Sequence, residues 1–248
     1  MTAPTKPNIS TPRTLPTLIV ALDFPDARSA LGLRERLDGV VDFFKVGKEL
    51  FTVAGPQVVD ELRRSGARVF LDLKFHDIPN TVGRAVAAAS RLGVDLVDVH
   101  ASGGVAMMSA AAESARRESQ GNHRTEVFAV TVLTHLADTD LRSIGVEGSS
   151  REQVVRLARL AQRSGLDGVV ASAHEVASIQ EATGNALAVL VPGVRPQWAS
   201  QAHDQTRIAT PAEVARAGAR YIVVGRAITT QSDPRAAACR ILEELESA

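Results

Sequence analysis

An aspartate and a lysine two residues apart, Asp72 and Lys74, interrupt the apolar run Val69-Phe70-Leu71-Asp72-Leu73-Lys74-Phe75. Another carboxylate, Asp77, follows in His76-Asp77-Ile78-Pro79-Asn80. Strand side chains alternate between faces, so Asp72 and Lys74 are expected to share one face and Leu71 and Leu73 the other. Buried charges are costly unless paired. Val or Ile at both positions would make the cheaper strand, so the charges point to chemistry.

The choice of cation sharpens this. The chain holds 28 Lys and Arg residues together, and its lysines are Lys6, Lys45, Lys48 and Lys74. Where Arg is the default cation, a retained Lys marks a need for a proton that can leave, because Arg keeps its proton at ordinary pH. Lys6 lies in a Pro-rich start and Lys48 opens a helix. Lys45 and Lys74 remain, both in apolar strand contexts.

Short apolar runs alternate with Ala- and Arg-rich helical patterns and supply the elements that position these groups. The runs are Leu18–Leu22, Phe43–Val46, Val69–Leu73, Leu96–Val99, Val127–Val132, Gly168–Ala171, Ala188–Val191 and Tyr221–Val224. The helical patterns are Ala27–Leu37, Gln57–Ser65, Val82–Leu92, Val105–Arg117, Gln153–Ser164, Ala173–Ala182, Ala212–Ala217 and Pro234–Leu245. Continuous apolar strands joined by helices predict a parallel sheet covered on its outer face. Eight such units in 248 residues predict an α/β fold, a single-domain (β/α)8 TIM barrel over residues 17–248. Gly66, Gly93, Gly165 and Gly218 stand where helices must stop. A doubly wound sheet is the alternative, but no Gly-x-Gly-x-x-Gly follows the first strand.

In such a barrel the chemistry sits at the C-terminal strand ends. Those ends carry Asp23, Lys45, Asp72 with Lys74, His100, Thr134, Pro192-Gly193-Val194-Arg195 and Gly225-Arg226. Asp23, Lys45, Asp72 and Lys74 alternate in sign and can form one network. A purely structural network is the competing reading, although a barrel core needs no ions. Gly193 to Arg195 and Gly225 to Arg226 fall in the loops after strands 7 and 8, the usual phosphate grip of this fold. Gly admits backbone N–H groups to the anion and Arg offers a bidentate fork. The long connection from Gly193 to Thr210 is expected to be a closing lid. Asp77 ahead of Pro79 fits plain helix capping equally well. The histidines show no metal-ligand spacing, so no metal is expected.

Composition bounds the rest. The formal net charge is zero and the pI is about 7.0, with no electrostatic footprint for nucleic acid or membrane. Cys239 is the single cysteine, which excludes an internal disulfide framework and fits a cytoplasmic protein. Residues 1–16, with Pro4, Pro7, Pro12 and Pro16, are expected to form a flexible tail without a signal peptide's apolar block.

The run Asp72-Leu73-Lys74-Phe75-His76-Asp77-Ile78-Pro79-Asn80-Thr81-Val82 resembles the signature of the orotidine 5′-phosphate decarboxylase family. The resemblance runs from about Thr17 to the last helix. It includes Ala21-Leu22-Asp23, Phe44-Lys45-Val46-Gly47, Val99-His100-Ala101-Ser102-Gly103-Gly104, Val132-Leu133-Thr134, Val191-Pro192-Gly193-Val194-Arg195 and Val224-Gly225-Arg226-Ala227-Ile228. It implies conversion of orotidine 5′-monophosphate to UMP and CO2 in de novo pyrimidine biosynthesis, without cofactor. By resemblance, Lys74 protonates C6 of the pyrimidine and Asp72 lies against the leaving carboxylate. Lys45 holds the network and a ribose hydroxyl, Asp23 binds ribose, and Thr134 contacts the base. Gln205 bridges base and phosphate from the lid, and Arg226 grips the phosphate. Asp77 and Thr81 come from a second subunit, which implies a homodimer with shared active sites. The chain departs from the pattern at His135, where relatives often carry a small hydroxyl residue.

Two other classes compete. Sugar-phosphate decarboxylases and aldolases share Asp-x-Lys-x-x-Asp but hold Mg2+ with a further acidic ligand, where this chain has Lys45. A nucleotide sensor on a degenerate barrel would lack one of the charged groups, and Asp23, Lys45, Asp72, Lys74 and Asp77 are all present.

Overall fold

A strand covered on both faces must be apolar throughout, and alternation then decides which side chains face inward. The computed structural model describes residues 15–121, 123–199 and 209–248. Most of the tail expected over residues 1–16 lies outside them. The apolar runs become β1 (Thr17–Ala21), β2 (Phe43–Gly47), β3 (Arg68–Phe75), β4 (Leu96–His100), β5 (Glu126–Val130), β6 (Gly168–Val170), β7 (Ala188–Pro192) and β8 (Tyr221–Val224). Each pairs in parallel with the next, and β8 closes on β1 through Thr17↔Tyr221 to Val20↔Val224. The fold is a (β/α)8 barrel, as the alternating pattern predicts.

Two apolar clusters divide the interior. Ile19, Phe43, Phe70, Leu96, Phe128, Leu190 and Tyr221 fill the barrel, with Phe43 and Phe128 edge-on to Tyr221. Val20, Phe44, Leu71, Val97 and Val99 face the helices instead. Each strand thus sends alternate residues to two cores. The same alternation places the next inward positions, Lys45, Asp72 and Asp98, above the apolar fill.

Helix limits follow local chemistry. Asp26 accepts a hydrogen bond from Ser29 N (2.8 Å) and opens the helix Ala27–Arg36. Ser149 and Glu152 form a capping box ahead of Ser150–Arg163. Thr210 and Glu213 do the same for Pro211–Ala217, which Gly218 ends at φ +82°. The helix expected from Val82 begins three residues earlier, because Pro79 takes its first position. Its N-cap is Ile78, without a side-chain cap bond. Asp77 accepts from Ile78 N (2.6 Å) instead, so it is not that helix's cap.

β3 departs from regular alternation. Leu71 pairs with Val97, but the next register pair is Phe75 with Val99. Four steps on β3 therefore match two on β4, which is a bulge. Lys74 absorbs the distortion at φ +53°, a region that non-glycine residues rarely occupy. Asp72 and Lys74 do share the barrel side, through this kink rather than a flat pleat.

Gly168 on β6 is packed against backbone and a core ring. A Cβ there would lie 2.4 Å from both Ala188 O and Phe128 Cε1. Neither backbone nor core ring can yield cheaply, so Gly168→Ala is expected to destabilise the fold by about 1–3 kcal/mol or more. The readout is a lower urea midpoint at unchanged slope; an unchanged midpoint would refute the packing.

Candidate active site

Positions at the C-terminal ends of β1–β4 build one charge array. Lys45 Nζ lies 2.8 Å from Asp23 Oδ1 and 3.3 Å from Asp72 Oδ2. Lys74 Nζ contacts the other Asp72 oxygen, Oδ1, and lies 3.8 Å from Asp98 Oδ2. Asp23, Lys45, Asp72 and Lys74 thus alternate in sign, as their strand-end positions predict.

Exposure separates the members. The Asp23 side chain is 62% exposed, whereas Lys45 and Asp72 are near 11% and 12%. Burial works against the Lys45 ammonium, but Asp72 and Asp23 outweigh it and hold its pKa above the ordinary lysine value. Burial likewise opposes the Asp72 carboxylate, yet Lys45 and Lys74 together hold its pKa at about 2. Asp72 is therefore ionised throughout the neutral range.

Gly47 is needed beside the array. A Cβ on it would lie 3.0 Å from Lys45 Nζ and 3.1 Å from Asp23 Oδ1. The small residue lets the ammonium and carboxylate meet.

Two adjoining cavities open from these residues. One, of about 210 Å³, is lined by Lys45, Asp72, Lys74 and Asp98 on one side and by Val130, Val170, Leu190 and Val223 on the other, with Leu133 and Thr134. The second, of about 200 Å³, is lined by Asp23, Lys45, Gly193, Arg195, Gly225 and Arg226. Lys45, Pro192 and Val223 belong to both. A flat ring fits between the charged and apolar walls of the first, and an anion beside the two arginines of the second. A roomier hollow, about 1050 Å³, lies outside the barrel along the helices Ser150–Arg163 and Val176–Thr183, lined by none of these groups. It is a surface groove remote from the array.

The other expected site residues divide. Thr134 lies beyond the end of β5 and reaches the first cavity; Arg195, Gly225 and Arg226 reach the second. Asp77 and Thr81 are exposed and line neither cavity. The second carboxylate near Lys74 within this chain is Asp98, not Asp77. Gln205 and most of the expected lid lie outside the described residues. The start of that connection is pinned: Trp198 Nε1 donates to Glu244 (2.7 Å) and Arg240 lies over the indole at 4.2 Å.

Asp98 was not among the residues singled out from the sequence, although the signal was present. It interrupts Leu96-Val97-Asp98-Val99 as Asp72 interrupts β3, two residues before His100. His100 adjoins His76, with ring centroids 5.3 Å apart.

Among the described residues, no three His, Cys, Asp or Glu side chains cluster to hold a metal ion. An ammonium fills the space between Asp23 and Asp72.

The profile of the family described as Orotidine 5'-phosphate decarboxylase / HUMPS matches residues 16–241. A protein of Nitrosomonas europaea named orotidine 5'-phosphate decarboxylase is 50% identical over 232 residues, covering 94% of this chain and 98% of its own length. One of Halorhodospira halophila with the same name is 53% identical over 233 residues, covering 94% and 97%. The crystal structure of orotidine 5'-phosphate decarboxylase from Lactobacillus acidophilus matches with a TM-score of 0.83 at 38% identity, covering 94% of this chain and 99% of that one.

The His100 environment makes stability depend on pH. Burial, then His76, Lys74 and Lys48, push its pKa from 6.5 down to about 4. The unfolded chain therefore takes up this proton first. Folding stability is expected to fall as pH drops from 6.5 to about 4, by no more than ~2 kcal/mol after solvent screening. His100→Gln should flatten that limb in thermal melts across the range; an unaltered limb would assign it to other groups.

Proposed function

The chain belongs to the orotidine 5′-phosphate decarboxylase / HUMPS family, and on that premise we propose that it converts orotidine 5′-monophosphate to UMP and CO2, a step of pyrimidine biosynthesis. The observation that carries this reading is Lys45, seated between Asp23 and Asp72 with Lys74 beyond. A family member that holds an enediolate on Mg2+ needs open carboxylates at that point, and here an ammonium occupies it.

Each residue then has a role. The phosphate lies against Arg195, Gly225 and Arg226, and the ribose against Asp23 and Lys45. The pyrimidine enters the first cavity between the apolar wall and the charged wall, near Thr134. Gln205 reaches base and phosphate when the lid closes. Asp72 faces the substrate carboxylate, and their repulsion is relieved as CO2 departs. Loss of CO2 leaves an electron pair on C6 with little resonance help. The fixed Lys74 ammonium stabilises that charge where it forms and then transfers a proton to it. Lys45 keeps Asp72 ionised and in place. Phosphate binding far from C6 supplies energy to close the site and orient the base. The reaction needs no cofactor or metal, because the charge it creates is met by an ammonium.

The active unit is a homodimer. Asp77 and Thr81 are exposed beside Ile78, a large apolar side chain left 65% exposed. A second copy covering this face would bury Ile78 and bring Asp77 and Thr81 to the neighbouring site. The compartment is the cytoplasm, where a chain with Cys239 as its single cysteine needs no disulfide. The partners are the nucleotide and a second copy of the chain, with no nucleic acid or membrane.

The deciding experiment is loss of orotidine 5′-monophosphate absorbance with purified protein, with and without EDTA. Turnover indifferent to EDTA is expected. Turnover abolished by EDTA, or none from folded protein, would return the Mg2+-dependent sugar-phosphate class. Lys74→Ala should lower kcat by more than about 10³-fold with UMP binding kept; an active variant would remove the proton donor. Arg226→Ala should raise KM roughly 10- to 100-fold, the worth of one charge-assisted contact, and an unchanged KM would move the phosphate elsewhere. Mixed Lys74→Ala and Asp77→Ala subunits should regain activity through one intact site per heterodimer. Proven heterodimers without activity would exclude shared sites.

A further inference from the structure

Asp98 is the most deeply buried ionisable group of the array, with its side chain 1% exposed. Its Oδ1 accepts the Lys74 backbone N–H at 2.8 Å. Its Oδ2 is buried and has no hydrogen-bond partner. The Lys74 ammonium, at 3.8 Å, is too far to hydrogen-bond it. Asp72 and Asp98 flank the same Lys74 ammonium and line the same cavity, and two carboxyls so placed can bond only if one carries a proton. The open valence of Oδ2 and the neighbouring carboxylate thus answer each other.

We propose that Asp98 is the positioning residue of this site: it donates its carboxyl O–H to Asp72 and accepts the Lys74 backbone N–H, setting both groups for the reaction. The proposal rests on the decarboxylase reading for its consequence, though not for its geometry. Lys74 sits at φ +53° inside a bulge, a conformation that persists only where surroundings impose it. The Asp98 bond to Lys74 N is a clamp at that residue. The bond to Asp72 fixes a carboxylate that already contacts two ammoniums, so it cannot swing away from the substrate.

The charges facing Asp98 locate the proton. From β3 they are Asp72 and Lys74; from β2, Lys45 reaches the same cavity. The β5 side of that cavity is Val130, Val132, Leu133 and Thr134, without charge. Burial, then the Asp72 charge, push the Asp98 carboxyl well above the usual carboxylate range, and Asp72 lies low. The proton shared by the pair belongs to Asp98. Lys74 has Asp72 as its counter-ion, and Asp98 needs no charge to do its work.

Three variants and one spectrum test this. Asp98→Ala removes both bonds and should lower kcat about 10²-fold, the effect of a small misplacement of reacting groups, with KM and UMP affinity shifted less than about threefold. Asp98→Asn keeps an acceptor for Lys74 N and a donor for Asp72, and should recover at least about tenfold of that loss. If the Ala variant does not fold, Asp98→Leu, similar in size without hydrogen bonds, replaces it. An Asn variant as slow as Ala would overturn the proposal, because the acid itself would then be consumed in turnover. So would an Ala or Leu variant with wild-type kcat. Infrared difference spectra between wild type and Asp98→Asn at neutral pH need no substrate and should show the carbonyl stretch of an un-ionised carboxylic acid in wild type only. Its absence would overturn the assignment even if turnover behaved as expected. A wild-type protein that folds, shows the band and decarboxylates nothing would instead refute the decarboxylase reading and leave the Asp98 geometry standing.

Discussion

Charge balance in a place nearly closed to water is the constraint on which the rest depends. At an effective dielectric constant near 20, unit charges 3–4 Å apart attract by about 4–5 kcal/mol. Removing each ion from water costs several kcal/mol. One isolated pair therefore gains little, and a lone ion loses. An alternating chain behaves differently, because its inner members each count two opposite neighbours. Lys45 lies between Asp23 and Asp72, and Asp72 between Lys45 and Lys74. The outer member Asp23 is largely in water and needs no second partner. With the proton on Asp98, the two ammoniums and two carboxylates contributed by one chain balance.

The barrel makes this array possible by giving its halves different tasks. β1 to β4 and their ends carry the charges, held above a floor of Phe43, Phe70, Leu96 and Phe128. β5 to β8 present Val130, Val170, Leu190 and Val223 across the cavity. Loops after β7 and β8 add Gly193, Arg195, Gly225 and Arg226 beside it. A ring that enters meets a low-dielectric wall behind and fixed charges in front. Water is displaced by groups already oriented, which is where electrostatic stabilisation is strongest.

Much of this was legible in the sequence, for a physical reason. Strands buried on both faces are continuous apolar runs, so all eight were visible and their ends fall within two residues of the structure's. Asp23, Lys45, Asp72 and Lys74 stood out because each is charged in or just after such a run. What escaped was what periodicity does not encode. The β3 bulge shifts register against β4 and turns Lys74 into a left-handed conformation, though Asp72 and Lys74 still reach the same side. The short helices Asp138–Ser143 and Arg226–Thr229 are too brief for an apolar stripe. The run from Val127 to Val132 reads as one strand, yet β5 stops at Val130, and the Thr131 hydroxyl bonds Val170 O at 2.8 Å. Asp77 had two readings in sequence, and the structure removes the capping one, because its carboxylate turns to Ile78 N.

The strain at Lys74 links these levels. A regular β3 would have kept its ladder with β4 and carried Lys74 at a pleat position fixed by the sheet. The bulge leaves Asp72, Leu73 and Lys74 without register partners on β4 and places a lysine in a left-handed conformation, at a cost of order 1–3 kcal/mol. The Lys74 N–H then bonds a side chain rather than a paired strand position. Asp98 supplies that side chain from the adjacent strand. An apolar residue at 98 would suit the barrel core better but would leave that N–H without an acceptor. The buried acid and the strained lysine explain each other, and neither has a purpose in a barrel built only for stability.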